Sequence, residues 1–304
     1  MEVGNTPLVQ LERLPGSASA EVFVKWEGAN PTGSMKDRMA LSMIEAAEGR
    51  GELRAGYSVV EYTGGSTGSS LAMVCAAKGY RAHFVSSDAF AEEKLQTMRA
   101  FGAEVEVIPS IDRQVTPGLI QAIVERARAL AAEPDTFWTD QFNNVDNRNG
   151  YHALGEEIRT ILGDTVSVFV QGVGTAGSFS GTAEVLKRHN PKTLCVAVEP
   201  AKSRALSGVP PYGGHRLEGM GPGFKPKIYR EDLADEIAAA TDEEAYGMAR
   251  ELARTEGLSA GISSGANVCV ALHLARRLGR GHRVVTILCD SGLKYLHDHL
   301  YGPA

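Results

Sequence analysis

The chain has 304 residues, 43% of them hydrophobic, and a formal net charge of −6. That length suits two domains or one large one, and the apolar fraction excludes a disordered chain. No basic run offers nucleic acid a footprint, which leaves small molecules and proteins as partners. No apolar stretch approaches the roughly 18 residues of a membrane span, and no signal peptide precedes the first strand. The cysteines, Cys75, Cys195, Cys269 and Cys289, are far apart in apolar surroundings and form no CxxC pair. Reduced thiols in a cytoplasmic protein are expected, with no metal site. His297 and His299 read as surface residues.

The predicted elements alternate strand and helix. "EVFVKW" is a strand, and the turn "NPTG" leads to a helix, "MKDRMALSMIEAAEGRG", with Ser34 as its N-cap and Gly49 and Gly51 as its stop. Lys36 then stands at the positive end of a helix, where a cation does not help the helix. Either it is simply solvated or its amine is needed there. "YSVVEYT", a glycine-rich turn and "SSLAMVCAAKG" follow as strand, loop and helix. "RAHFVSS", "AEEKLQTMRAFG", "AEVEVIP" and "PGLIQAIVERARALAAE" continue the alternation. Such a run specifies a parallel sheet with crossover helices.

"TDQFNNVDNRNG" at 139–150 is polar and lacks periodicity, so it reads as the crossing between two halves. The second half starts with the helix "YHALGEEIRTILG", the strand "VSVFVQG" and the turn "VGTAG". The helix "SFSGTAEVLKRHN" and the strand "TLCVAVEP" come next. A Gly- and Pro-rich stretch spans about 202–227. Two helices, "DEEAYGMARELARTEG" and "SSGANVCVALHLARRLG", and a strand, "HRVVTILCDSG", close the chain.

Three junctions are rich in glycine and hydroxyls: "TGGSTGSS" (63–70), "GVGTAGSFSG" (172–181) and "GISSGAN" (261–267). Each offers helix N-terminal N–H groups to an anion, and glycine lets a ligand approach the backbone closely. Each also has a plain structural reading, with Ser66 or Thr67 capping the first helix and Ser263 or Ser264 the third. Gly172, Gly174 and Gly177 spell GxGxxG after a strand, and Glu199 ends the next strand where an acidic residue would hold a ribose. A nicotinamide-dependent dehydrogenase therefore competes with a single-phosphate site, which Thr175 and Ser178 favour. A phosphate cradle, a carboxylate loop and a lysine between them point to pyridoxal phosphate, which needs an amine for its Schiff base.

The whole pattern resembles the cysteine synthase and cystathionine β-synthase family of fold type II pyridoxal-phosphate enzymes. "VGNTPLVQL" (3–11) resembles that family's opening and "NPTGSMKDR" its lysine motif. "TGGSTG" stands where the family has T-S-G-N-T-G. "GVGTAGSFSG", "EGMGPGF", "GISSGA" and "DSGLKYL" match later segments in order. The dehydrogenase reading explains only one of these. The resemblance implies that Lys36 carries the Schiff base and then acts as general base. It implies that Gly174, Thr175, Ala176, Gly177 and Ser178 hold the phosphate and that Ser66 lies by the cofactor. Ser263 would be a neutral partner of the ring nitrogen, favouring β-elimination over transamination. Thr63, Gly64, Gly65, Thr67 and Gln141 would receive the substrate carboxylate, with Gly219 bordering the substrate.

The implied fold is α/β, two domains of parallel-type open twisted sheets flanked by helices, with the cofactor in the interdomain cleft. A smaller domain, 35–144, would carry Lys36 and the carboxylate loop; 1–34 and 145–304 would form the larger. A cytoplasmic homodimer without a regulatory or haem-binding domain is expected. The implied activity is β-replacement or β-elimination on a small amino acid such as O-acetylserine, with sulfide or another thiol as co-substrate. Cysteine desulfhydrase or cystathionine β-synthase-like activity is the near alternative; a non-catalytic binding protein is a distant one.

Two departures stand out. Ser66 replaces the family's Asn and is shorter, with one donor. Gly64 replaces its serine, removing a hydroxyl from the carboxylate site; a hydrogen bond to a charged group is worth about 1.5–3 kcal/mol. The segment after Gln141 also lacks the family's prolines and paired threonines. These leave the substrate preference open.

Overall fold

The computed structural model describes residues 2–210, 214–296 and 300–302, so His297 and His299 lie outside the described residues. The elements in chain order are β1 (Leu8–Gln10), β2 (Glu21–Trp26), α1 (Lys36–Arg50), β3 (Ser58–Tyr62), α2 (Ser66–Lys78), β4 (Arg81–Ser87) and α3 (Glu92–Ala100). They continue with β5 (Glu104–Ile108), α4 (Pro117–Ala131), β6 (Thr136–Trp138), α5 (Val145–Asn149), α6 (His152–Leu162), β7 (Val168–Gly172) and α7 (Gly177–His189). The last are β8 (Leu194–Pro200), β9 (Glu236–Ala240), α8 (Asp242–Glu251), α9 (Ile262–Leu278) and β10 (Arg283–Leu288). None of the helices among the described residues is long and apolar enough to cross a membrane. The four cysteines are free thiols.

The chain forms two compact units. One comprises Met1–Val3 and Lys36–Gly150, the other Gly4–Met35 and Tyr151–Ala304. The first holds a four-stranded sheet in the order β5-β4-β3-β6, all parallel. Val60 and Val85 face Leu119, Ile123, Ala127 and Leu130 of α4 on one side. α5 belongs to this unit because it packs on α1: Ser42 Oγ donates to the Asp146 carbonyl at 2.8 Å. A Cβ on Gly150 would stand 2.8 Å from the Arg38 carbonyl oxygen. The unit therefore runs to residue 150 rather than stopping at 144.

The second unit holds a six-stranded sheet, β1-β2-β10-β7-β8-β9, parallel except for the antiparallel edge strand β1. Every residue of β7 is buried, as expected of a parallel strand covered on both faces. Val168, Val170, Val196, Val198 and Val284 share a core with the apolar stripe of α9.

Both sheets reverse direction once. In the first unit the chain runs from β3 to β4 and β5 on one side, then returns to β6 on the other side of β3. In the second it runs from β7 to β8 and β9, then returns to β10 on the other side of β7. Open parallel sheets bind ligands beyond the carboxyl ends of strands at such reversal points. The segments that leave β3, β6 and β7 are therefore the places to look for chemistry.

Candidate active site

In the first unit, the carboxyl end of β3 runs through Thr63–Gly65 into α2. Neither Ser66 nor Thr67 caps that helix. Its N-cap is Gly65, which has no side chain to cap with. Instead the Thr63 hydroxyl, one strand-end back, accepts from the amides of Gly65 and Gly68, both at 3.1 Å. The first N–H groups of α2, at Ser66 and Thr67, have no carbonyl within the helix to bond and suit an anion. Gly68 lets helix and strand close up: a Cβ there would lie 2.5 Å from Thr63 Cγ2 and 2.6 Å from Met98 Sδ.

Across the reversal point, the segment after β6 delivers Gln141. Thr67 Oγ1 donates to Gln141 Oε1 at 2.8 Å, and Gln141 Nε2 donates to the Tyr62 carbonyl at 3.0 Å. Thr67 and Gln141, far apart in sequence, thus form one polar pair. The asparagines that look featureless in the sequence support it. Asn144 donates to the Thr139 carbonyl at 2.9 Å and Asn147 to that of Gln141 at 2.7 Å. Asn144 also caps α5 by accepting from the Asp146 amide.

Gly64 and Gly65 are roofed by neighbouring side chains. A Cβ on Gly64 would stand 2.6 Å from Phe90 Cε1, and one on Gly65 would stand 2.9 Å from Lys94 Cδ. The missing serine hydroxyl at 64 is therefore matched by an aromatic ring that fills its room. Sequence reading missed Phe90, because a loop phenylalanine carries no signal of its own. It also missed Glu61, a carboxylate inside an apolar strand, which does carry one.

Lys36 opens α1. The helix starts there, just after Ser34, whose backbone pairs with Asp290 in an isolated bridge of the second unit. Asp37 and Arg38 behind the half-buried Lys36 are buried.

In the second unit, the segment after β7 is shaped for an anion. Ala176 takes the left-handed conformation, φ +75°, and opens α7 with no side-chain cap. The helix N–H groups are left for a ligand. Thr175 and Ser178 are buried beside them. Gln171 Nε2 donates to Ser178 Oγ at 3.1 Å, so the serine proton is directed elsewhere. Asn267 donates to Gln171 Oε1 at 2.8 Å and accepts from the Gly172 amide at 2.7 Å, locking the turn. Gly174 is required by close approach: a Cβ would meet the Gly219 carbonyl oxygen at 2.2 Å. The 218–224 segment is tied here through the Gly221 amide, which donates to the Val173 carbonyl at 2.9 Å. Uncapped amides, buried hydroxyls and a backbone that admits no Cβ together fit a phosphate dianion.

Ser263 lies buried in the first turn of α9, whose N-cap is Gly261 with no capping side chain. Ser264 does not cap the helix; its hydroxyl accepts from the Cys289 amide at 2.8 Å. Glu199, the ribose candidate of the dehydrogenase reading, is 1% exposed and serves its own loop. It accepts from the amides of Leu206 at 2.8 Å and Ser207 at 3.3 Å, and from Arg204 and the Ser207 hydroxyl. That commitment removes the acidic partner a dinucleotide would need. Among the described residues no cluster of His, Cys, Asp or Glu could hold a metal ion.

Comparison with known proteins agrees with this geometry. Residues 1–290 match the family described as pyridoxal-phosphate dependent enzyme. The chain is 40% identical to a cysteine synthase of Staphylococcus aureus over 302 residues, 99% of this chain and 95% of that one. It is similar to the crystal structure of a hydrogen sulfide-producing enzyme from Fusobacterium nucleatum, with a TM-score of 0.90, 40% identity and coverage of 97% and 96% of the two chains. It is also similar to an O-acetylserine dependent cystathionine beta-synthase from Helicobacter pylori, with a TM-score of 0.91, 34% identity and coverage of 99% and 97%. With its parallel sheets, its anion cradle after β7 and its lysine at the head of α1, the chain belongs to the pyridoxal-phosphate-dependent enzyme family.

Proposed function

We propose that this enzyme makes cysteine from O-acetylserine and sulfide by β-replacement. The observation that carries the reading is the pairing of Thr67 with Gln141 beside uncapped helix amides at one reversal point, with a phosphate-shaped cradle at the other. The first suits an α-carboxylate and the second a cofactor phosphate. The similarity to the S. aureus cysteine synthase supports it.

Gly174, Thr175, Ala176, Gly177 and Ser178 would hold the phosphate, Ser263 the pyridine nitrogen and Lys36 the aldehyde carbon covalently. Bound pyridoxal phosphate supplies an electron sink for bond changes at the substrate Cα and Cβ. The chain's own groups do the rest. The amides of Ser66 and Thr67 and the side chains of Thr67 and Gln141 bind and orient the carboxylate. The freed Lys36 amine takes the Cα proton. Ser263, being neutral, leaves the ring nitrogen unprotonated, which favours prompt loss of acetate. Gly219 borders the substrate. A homodimer in a reduced, cytoplasmic setting belongs to the same reading, and the four free cysteines support reduced surroundings.

A second reading, cysteine desulfhydration or cystathionine formation, is favoured by Gly64 beneath Phe90, which changes the carboxylate loop without touching the cradle. The purified enzyme should be yellow and release pyridoxal phosphate on denaturation. Given O-acetylserine and sulfide it should form cysteine and acetate at a higher kcat/KM than it releases sulfide from cysteine, or makes cystathionine from homocysteine. A yellow protein that prefers either of the latter reactions overturns the first reading. Lys36→Ala should lower turnover at least about a thousandfold, and a pyridoxyl tag mapped to any other residue after borohydride reduction would exclude the assigned role of Lys36.

A further inference from the structure

We propose that Glu61 is a positioning residue, whose buried carboxylate fixes the Gln141–Thr67 pair in the arrangement that receives the substrate α-carboxylate. This rests on the carboxylate-binding role proposed above.

Glu61 lies on β3 and is fully buried. Four donors converge on it. The Tyr62 amide at 2.9 Å and Trp138 Nε1 at 3.3 Å reach Oε1; Thr139 Oγ1 at 2.7 Å and the Gln141 amide at 2.9 Å reach Oε2. Three of these are N–H groups that can only donate. A carboxylate, which only accepts while ionised, matches them; an amide would turn its own N–H groups against them. Through this one group the end of β3 is stitched to the segment after β6. The Gln141 side chain then folds back, giving one N–H to the Tyr62 carbonyl and taking the Thr67 proton. One N–H of its amide remains for an outside acceptor.

Strand pairing does not need this group. β3 and β6 are already parallel neighbours at Ser58↔Thr136, Val59↔Phe137 and Val60↔Trp138. An apolar residue would avoid the penalty of a buried charge but would leave these donors, the Gln141 amide among them, without an acceptor. That penalty is visible: desolvation pushes the Glu61 carboxyl up to about 7 despite its donors. A buried carboxylate that carries this desolvation cost beside the proposed substrate site, and is bonded to the backbone of its glutamine, is explained by positioning.

The titration gives a signature. The groups acting on Glu61 are neutral donors, and the charges in its neighbourhood are its effect on the Tyr62 phenol and that of Asp140 on the same ring. Protonation puts an O–H where an N–H points and loosens Gln141. KM for O-acetylserine should therefore climb as pH falls through about 7.

The test uses the holoenzyme. Glu61→Gln should raise KM for O-acetylserine about tenfold, as for loss of one well-placed hydrogen bond. The kcat and the KM for sulfide should stay within about twofold, since the lost interaction serves ground state and transition state alike. The rise of KM below neutral pH should disappear. Of the two tryptophans, Trp138 touches Glu61; in a Trp26→Phe background its fluorescence should titrate near neutrality and cease to do so with Glu61→Gln. Thr139→Val, which removes one donor only, should raise KM by a smaller factor and keeps the test available if Glu61→Gln does not fold. A Glu61→Gln enzyme with a lower Tm but unchanged KM, or with kcat reduced at constant KM, overturns the proposal. A wild-type enzyme that forms no cysteine overturns the underlying function instead, and the fluorescence titration separates the two failures.

Discussion

The two loops that follow β3 and β7 stand at equivalent places in their sheets, yet they are built differently. The segment from Gly172 to Ser178 is buried and locked from behind. Asn267 and Gln171 fix its turn, and the Gly219 carbonyl leaves no room for a side chain at Gly174. The segment from Thr63 to Gly68 is anchored by the Thr63 hydroxyl and by Thr67 on Gln141, and its middle is half-buried under Phe90 and Lys94. The first resembles the family's phosphate loop, and the second carries both departures, Gly64 and Ser66. On the proposed function the cofactor end is thus a fixed part, and the substrate end is where this chain departs from the family.

The sharpest way to break that contrast is Gly174→Ala. The added methyl would meet a backbone oxygen at 2.2 Å, which cannot swing aside as a side chain could. Overpacking of this kind costs about 1–3 kcal/mol. Cofactor affinity, followed by absorbance during reconstitution of the apoprotein, should weaken by about a hundredfold. An alanine enzyme with unchanged affinity would mean the cradle is as tolerant as the other loop.

Gly64→Ser comes next. A serine Cβ would collide with Phe90 Cε1 at 2.6 Å, so the single substitution should raise KM for O-acetylserine about tenfold. Phe90 is only half-buried and packs at the margin of the Val60–Val85 core, so its ring can be removed. With Phe90→Ala also present, the serine gains room and its hydroxyl can join the carboxylate site. The double variant should recover to within a fewfold of wild type, an interaction energy of the size expected for residues in contact. Additive effects would show that Gly64 and Phe90 are not a matched pair.

Much of this was legible in the sequence, for reasons that separate the same two loops. β7 and the strands beside it are β-branched runs buried on both faces, and Gly79 and Gly51 end their helices with positive φ, as glycine there implies. The phosphate loop could be read because its backbone demands glycine at a fixed spacing. Short or polar elements were not legible. β6 is three residues, and α5 is five with no apolar stripe, so neither presents a period. β9, "EIAAA", is rich in alanine, a poor strand former, and is held by pairing with β8 at the sheet edge. β1 hid inside the opening motif. At α2 and α9 the N-cap is a glycine rather than the expected hydroxyl residue, and the hydroxyls of Thr67 and Ser264 engage Gln141 and the Cys289 amide instead. Glu61, Gln171 and Asn267 are polar residues inside apolar elements, a signal that a buried network was present.

The smallest expected effect is that of Ser66→Asn. Ser66 is half-buried at the first position of α2. Asparagine would bring a carboxamide with both a donor and an acceptor where serine offers one hydroxyl. The family resemblance places that carboxamide by the cofactor's 3′-oxygen. The expected outcome is therefore a shift in the absorbance of bound cofactor and a twofold to fivefold fall in KM for O-acetylserine, about 0.4–1 kcal/mol. Because α2 keeps its Thr63 anchor, stability should not change, and the measurement isolates chemistry from folding. If absorbance and KM both stay put, Ser66 is not an altered contact, and the difference between the two loops contracts to Gly64 and the ring above it.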